Sequence, residues 1–222
     1  MIIVEDVHKR YMTEHGPSKW ILSGVSFVIP PHTNVGLVGR NGAGKSTLLR
    51  LIAGVDTPNH GHIERQCRVS WPMSGAGIHA TLTGRQNARF VCRVHGYSEG
   101  KEMDDRVAFI KDFSALGNAF DEPVRSYSAG MKSRLQFALS MAFDFDVYLS
   151  DEVTGAGDAA FRDKAAAAFR DMTNKAGLIM VSHGEGTLRQ FCQAGIWLHE
   201  GKAHWFDNIE DALACYHESL KA

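Results

Sequence analysis

The eight residues Gly39-Arg40-Asn41-Gly42-Ala43-Gly44-Lys45-Ser46 fit the pattern GxxxxGK[ST] and constrain this chain more than any other segment. Ahead of them, the apolar run 35–38 reads as a short buried strand. Behind them, residues 47–53 read as an amphipathic helix. A strand, a glycine-rich loop and a helix in that order form a phosphate-binding unit. The glycines let successive backbone N–H groups turn inward toward an anion, and the helix start adds the positive end of its dipole. Lys45 is placed to reach β- and γ-phosphates, and the Ser46 hydroxyl to ligate Mg²⁺. The contacting set is Gly39, Arg40, Asn41, Gly42, Ala43, Gly44, Lys45, Ser46 and Thr47.

The 222 residues suit one large domain, or one domain with a small subdomain. The formal net charge is −1 with both signs interspersed, which argues against a nucleic acid held on a broad basic face. No apolar run approaches the ~20 residues that a membrane-spanning helix needs. The first residues alternate as a strand does and lack the regions of a signal peptide. Cys67, Cys92, Cys192 and Cys215 stand far apart without a CxxC pair, and read as reduced thiols of a cytosolic protein.

Residues 2–7 and 25–29 read as antiparallel strands with a polar turn at 13–18 between them. Further strands are expected near Ile63 and at 68–71. A helical region follows, with helices at 85–94 (capped by Thr83), 102–113 and 131–143. Strand and helix then alternate: strand 146–150, helix 159–173, strand 178–182, helix 185–193, strand 195–198 and helix 209–220. Alternating units imply a largely parallel sheet covered by helices.

Five elements carry further chemistry. The strand 147–150 ends in Asp151 and Glu152, a carboxylate to hold Mg²⁺ and a general base for an attacking water. Ser128 and Gly130 open the third helix of the middle region, where a second anion can bind. His183 follows a strand and stands at the ligand edge of an open α/β sheet. Tyr11 can stack on an adenine ring. Asp158 closes the loop 155–158 and can make a contact between subunits or cap a helix. Each segment taken alone also fits an ordinary cap, turn or surface aromatic.

Their order resembles that of the ABC-type ATPase cassette over nearly the whole chain. The resemblance implies an α/β fold: a P-loop NTPase of ABC type with a mostly parallel core sheet, an antiparallel β subdomain and an α-helical subdomain. Residues 1–222 would form a single domain, with the helical subdomain at about 84–143. Residues 39–46 then look like Walker A and 147–152 like Walker B. Ser128-Ala129-Gly130-Met131 looks like the family signature LSGGQ, with Tyr127 in place of its Leu and Ala129 and Met131 in place of its second Gly and its Gln. His183 looks like the switch histidine, and 155–158 like the loop that contacts the second subunit.

The segments Ser70-Trp71-Pro72, Leu82-Thr83-Gly84-Arg85-Gln86-Asn87 and Ser140-Met141-Ala142-Phe143 are similar to those of Kps-type capsular polysaccharide export ATPases. O-antigen and teichoic-acid export ATPases are similar too. This implies an ATP- and Mg²⁺-dependent homodimer in which the signature of one copy closes on ATP held by the other. It also implies a polytopic inner-membrane permease docked near 71–97, with Phe90, Val91 and Val94 as contacts or as core. A lipid-linked polysaccharide would be handled by the complex, with this chain peripheral on the cytoplasmic face of the inner membrane. The stretch after His183 leaves no room for a C-terminal sugar-binding domain.

One position departs from the pattern. The glutamine expected just before Leu82 is absent, and His79 stands there. Its imidazole can accept a hydrogen bond from water or contact Mg²⁺. A poorly hydrolysing regulatory cassette therefore remains open beside the transport ATPase. A clamp acting on DNA or ribosomes does not fit the length or the charge.

Overall fold

The computed structural model describes residues 1–73, 77–151, 159–182 and 184–221, with the backbone alone at 159 and 160. The readings of Glu152, Asp158 and His183 fall outside the described residues. The chain forms two compact units. The first comprises Met1–Pro72, Phe145–Glu152 and Met172–Ala222, and the second Met73–Asp144 and Val153–Asp171. The second unit thus takes in more chain than the expected 84–143.

The first unit opens with β1 (Ile2–Lys9), a two-stranded hairpin of β2 (Met12–Thr13) and β3 (Gly16–Pro17), and β4 (Leu22–Ile29). β5 (Asn34–Val38) leads through the glycine-rich loop into α1 (Lys45–Ala53). β6 (His60–Arg65) and β7 (Val69–Pro72) follow. β1 pairs antiparallel with both β4 and β6, giving a three-stranded sheet in the order β4-β1-β6. The expected polar turn at 13–18 therefore holds a short hairpin of its own.

The second unit is helical. It contains α2 (Gly84–Val94), α3 (Lys101–Ser114) and α4 (Ala129–Met141), with short 3₁₀ turns at Gly117–Asp121 and Val124–Ser126. Thr83 caps α2 through a reciprocal box: its side chain accepts from Gln86 N, and the Gln86 side chain accepts from Thr83 N. Such a cap is worth about 1 kcal/mol. Phe113, Phe137 and Phe161 form an aromatic centre with ring centroids 5.8–6.3 Å apart.

The chain then gives β8 (Val147–Asp151), α5 (Ala159–Thr173), β9 (Gly177–Val181), α6 (Glu185–Phe191), β10 (Ala194–His199), β11 (Lys202–Phe206) and α7 (Ile209–Ser219). The main sheet of the first unit runs β11-β10-β5-β9-β8-β7. It is parallel except for β11, which pairs antiparallel with β10. The central strands β5, β8 and β9 are apolar along most of their length and largely buried, as strands covered on both faces must be. Leu48, Leu49, Leu51 and Ile52 of α1 are fully buried. They share one core with Val35, Leu37, Leu149 and Ile179 and with Ile2, Val4 and Val25 of the antiparallel sheet. Each such side chain contributes about 2 kcal/mol by leaving water, so the phosphate-loop helix is anchored as firmly as the strands.

Candidate nucleotide-binding site

The loop between β5 and α1 is shaped by its glycines. Gly39 has φ 154° and Gly44 φ 101°. A Cβ on Gly39 would lie 2.6 Å from the Leu198 carbonyl oxygen, so the close approach of β10 requires glycine. Gly44 stands at the N-cap of α1 without a side-chain cap, and no acidic residue occupies the first turn. No side chain caps the first turn of α1, which is the arrangement an anion completes. Lys45 Nζ donates to the carbonyl oxygens of Gly39 at 2.6 Å and Arg40 at 3.0 Å. The ammonium is held across the loop, and Ser46 is exposed beside it.

The far end of α1 is clamped. Arg65 on β6 donates from Nε to Ile52 O at 2.7 Å and from a second nitrogen to Leu51 O. A cation on the last carbonyls stabilises the helix at its negative end. Burial lowers the pKa of this guanidinium from its ordinary value.

Asp151 ends β8. It pairs in register with Val181 of β9, and Val181 pairs with Leu37 of β5. The carboxylate therefore lies at the same edge of the sheet as the phosphate loop, two strands or ~10 Å across. The hard oxygens of Ser46 and Asp151 suit Mg²⁺, which takes one or two protein ligands and fills the rest with phosphate and water. Among the described residues, no three His, Cys, Asp or Glu gather to form a site for a metal by themselves.

Tyr11 is half-buried just after β1. Its hydroxyl donates to Asp56 Oδ2 at 2.9 Å. Lys9 Nζ sits 4.7 Å from the ring centroid and bonds Asp56 Oδ1 at 2.7 Å. Burial would raise the Asp56 pKa, but hydrogen bonds from Lys9, Tyr11 and Thr57 N together hold it below the ordinary carboxylate value. The sequence reading singled out Tyr11 and missed Lys9 and Asp56. A lysine among the apolar positions of β1 is the local signal that marks them.

In the helical unit, Ser128 is the N-cap of α4, and its Oγ accepts from Met131 N at 3.2 Å. Tyr127, just before it, is 5 % exposed and donates to Ala119 O at 2.5 Å. Burial raises its pKa. The Tyr127 ring is thus core, and its hydroxyl tethers the segment. His79 N donates to Asn87 Oδ1 at 2.8 Å, and Asn87 Nδ2 donates to the oxygens of His79 and Thr83 at 3.1 and 2.9 Å. The His79 ring meets Phe90 edge-on at 5.0 Å. On α2, Val91 is buried as core, whereas Phe90 and Val94 are 40 % and 66 % exposed.

Residues 22–155 match the family model described as ABC transporter. The chain is 44 % identical over 222 residues to the polysialic acid transport ATP-binding protein KpsT of Escherichia coli, covering 99 % of this chain and 100 % of that one. It is 42 % identical over 217 residues to the capsule polysaccharide export ATP-binding protein CtrD of Neisseria meningitidis, covering 97 % and 98 %. A solved dimeric ATP-binding cassette in a post-hydrolysis state, bound to ADP and Pi, shares the fold with a TM-score of 0.76 at 20 % identity, over 92 % of this chain and 97 % of that one. With a family match over more than half its length and relatives aligned end to end, the chain belongs to the ABC transporter family, as one of its ATP-binding, ATP-hydrolysing subunits.

Proposed function

We propose that this subunit drives export of a capsular or related cell-surface polysaccharide through a separate inner-membrane permease. The observation that carries the reading is the 44 % identity, spread over the full length, to a polysialic acid transport subunit. No described helix is long and apolar enough to cross a membrane, so force must pass to another chain. Phe90 and Val94, exposed on α2, are the proposed contacts for a permease segment.

The reaction is attack of water on the γ-phosphorus, with the bond to the β-phosphate oxygen breaking to give ADP and phosphate. The α1 N–H groups and Lys45 hold the phosphates in line and take up charge on the leaving oxygen. Ser46 and Asp151 would hold Mg²⁺, which would neutralise charge on the phosphates. Glu152 accepts the proton of the attacking water, and His183 bonds the γ-phosphate. Arg40, Asn41, Gly42, Ala43 and Thr47 complete the cradle, and Tyr11 stacks on the base. Ser128 and Gly130 come from a second copy of the chain, with Asp158 at the contact between copies. ATP thereby joins two subunits, and loss of the γ-phosphate loosens them. His79 takes the place of the usual water-positioning glutamine.

The test is Glu152→Gln at the native locus, with polysaccharide extracted separately from cytoplasm and surface. Polymer trapped inside and missing outside supports export, and its sugars name the substrate. Unchanged surface polymer, with the variant expressed, removes the assignment.

A further inference from the structure

Lys9 is unusual among the residues of β1. Its side chain is 8 % exposed, and a lysine is rarely buried unless its charge is matched. The match is complete here. Lys9 Nζ donates to Asp56 Oδ1 at 2.7 Å and to Thr57 O at 2.8 Å, and its remaining direction is covered by the Tyr11 ring at 4.7 Å. Asp56 in turn accepts from Thr57 N at 2.7 Å and, through its other oxygen, from the Tyr11 hydroxyl at 2.9 Å. The Tyr11 backbone is pinned as well, by Ser18 Oγ at 3.1 Å and Ser18 N at 2.8 Å.

The ring is therefore held at its tip by a carboxylate and on one face by an ammonium. A base can stack only on the other face. Asp56 also belongs to the turn that ends α1, since the N–H groups of Val55 and Asp56 both donate to Arg50 O. The element that holds the ring is thus continuous with the helix that starts at the phosphate loop.

We infer that Asp56, locked by Lys9, is a positioning residue that fixes the Tyr11 ring for a purine base, so that this site selects a nucleoside triphosphate over a bare triphosphate. The inference rests on the reading that Tyr11 stacks on adenine. A loosely held tyrosine would have to give up rotational freedom on each binding event, and a pre-held ring does not.

The test measures Kd of the purified full-length chain for ATP and for inorganic tripolyphosphate by titration calorimetry. The variants are Tyr11→Ala, Tyr11→Phe and Asp56→Asn, each with its melting temperature. The expected result is that Tyr11→Ala abolishes the preference for ATP. Tyr11→Phe, which loses only the tether, and Asp56→Asn, which also removes the counter-charge of Lys9 and should melt lower, should each raise Kd for ATP about 3- to 10-fold and leave tripolyphosphate unchanged. A general loss of fold would move both ligands together, and that result overturns the inference. Loss of preference in Tyr11→Ala with the other two at wild-type affinity also overturns it, while the base-stacking reading stands. An effect in Tyr11→Phe without one in Asp56→Asn removes the role of Asp56. Full preference retained in Tyr11→Ala sinks the base-stacking reading and the inference with it.

Discussion

Two helix starts in this molecule are candidates to meet phosphate, and they are built in opposite ways. α1 has Gly44 at its N-cap, with no side-chain cap and no acid in its first turn. α4 begins at Ser128, whose hydroxyl already satisfies Met131 N. The first start offers its backbone donors with no side chain in competition. The second already has one N–H taken by its own serine oxygen, and the serine proton remains a donor that a phosphate can recruit. That contrast fits a cassette in which one site is filled within the chain, and the other is engaged only when a second copy arrives.

The comparison breaks first at Gly39. In Gly39→Ala the added Cβ meets the Leu198 carbonyl oxygen at 2.6 Å, and backbone cannot move aside as a flexible side chain can. Strain of about 2–3 kcal/mol falls on the loop that the ligand needs, so ATP affinity should drop by roughly 100-fold. Calorimetry would check it. Affinity within twofold of wild type would mean that the loop is not the phosphate site.

The second helix start separates its two jobs with a pair of variants. Ser128→Ala removes the cap and should cost about 1 kcal/mol. Ser128→Asp keeps a good cap, since aspartate accepts from the same N–H groups, but sets a negative charge against phosphate. Its stability should match wild type, and hydrolysis should fall roughly 100-fold with single-chain ATP binding intact. If Ser128→Asp hydrolyses ATP normally, α4 serves only as a capped helix. In the same unit, Asn87→Ala removes the buried amide that ties the part-buried backbone groups of His79 and Thr83. A loss of about 2–3 kcal/mol is expected in urea unfolding, with ATP affinity at the phosphate loop unchanged.

How much of this was legible in the sequence depends on how far apart the partners lie. The strand, glycine-rich loop and helix around 39–46, the Thr83 cap and the Ser128 cap are local patterns, and each forms where its residues predict. α1 begins at Lys45, two residues before the apolar periodicity, because the uncapped glycine lets the helix start inside the motif. The short hairpin at 12–17 and the 3₁₀ turns after α3 carry no period to read. On α2, periodicity alone left Phe90, Val91 and Val94 open, and packing sorted them into one core residue and two exposed ones. The Arg65 clamp was not legible, and of the Lys9–Asp56–Tyr11 group the sequence marks Tyr11 and the lysine in β1 but not the partner that joins them. Both join residues from separate elements, and a charged side chain in a sequence gives no sign of which distant partner will meet it.

The smallest expected effect tests whether α6 is held from α7. α6 is only seven residues long and buries Leu188, too little to be stable alone. Glu185 in its first turn bonds His217 Nε2 of α7 at 2.6 Å, and Arg189 reaches Glu210 at 3.0 Å. The hydrogen bond from His217, with help from Arg189, holds the Glu185 pKa below its ordinary value of 4.5. A carboxylate with a lowered pKa stabilises the fold above its unfolded value, and the gain is lost as pH falls through the folded one. Glu185→Gln should therefore melt about 1–2 °C lower than wild type from pH 6 to 8, and the gap should close below about pH 4. Because these side chains are partly exposed, salt should shrink the gap as well. A gap that stays constant across pH and salt would mean that the two helices are joined by packing alone, and that the charged tie contributes nothing to holding α6.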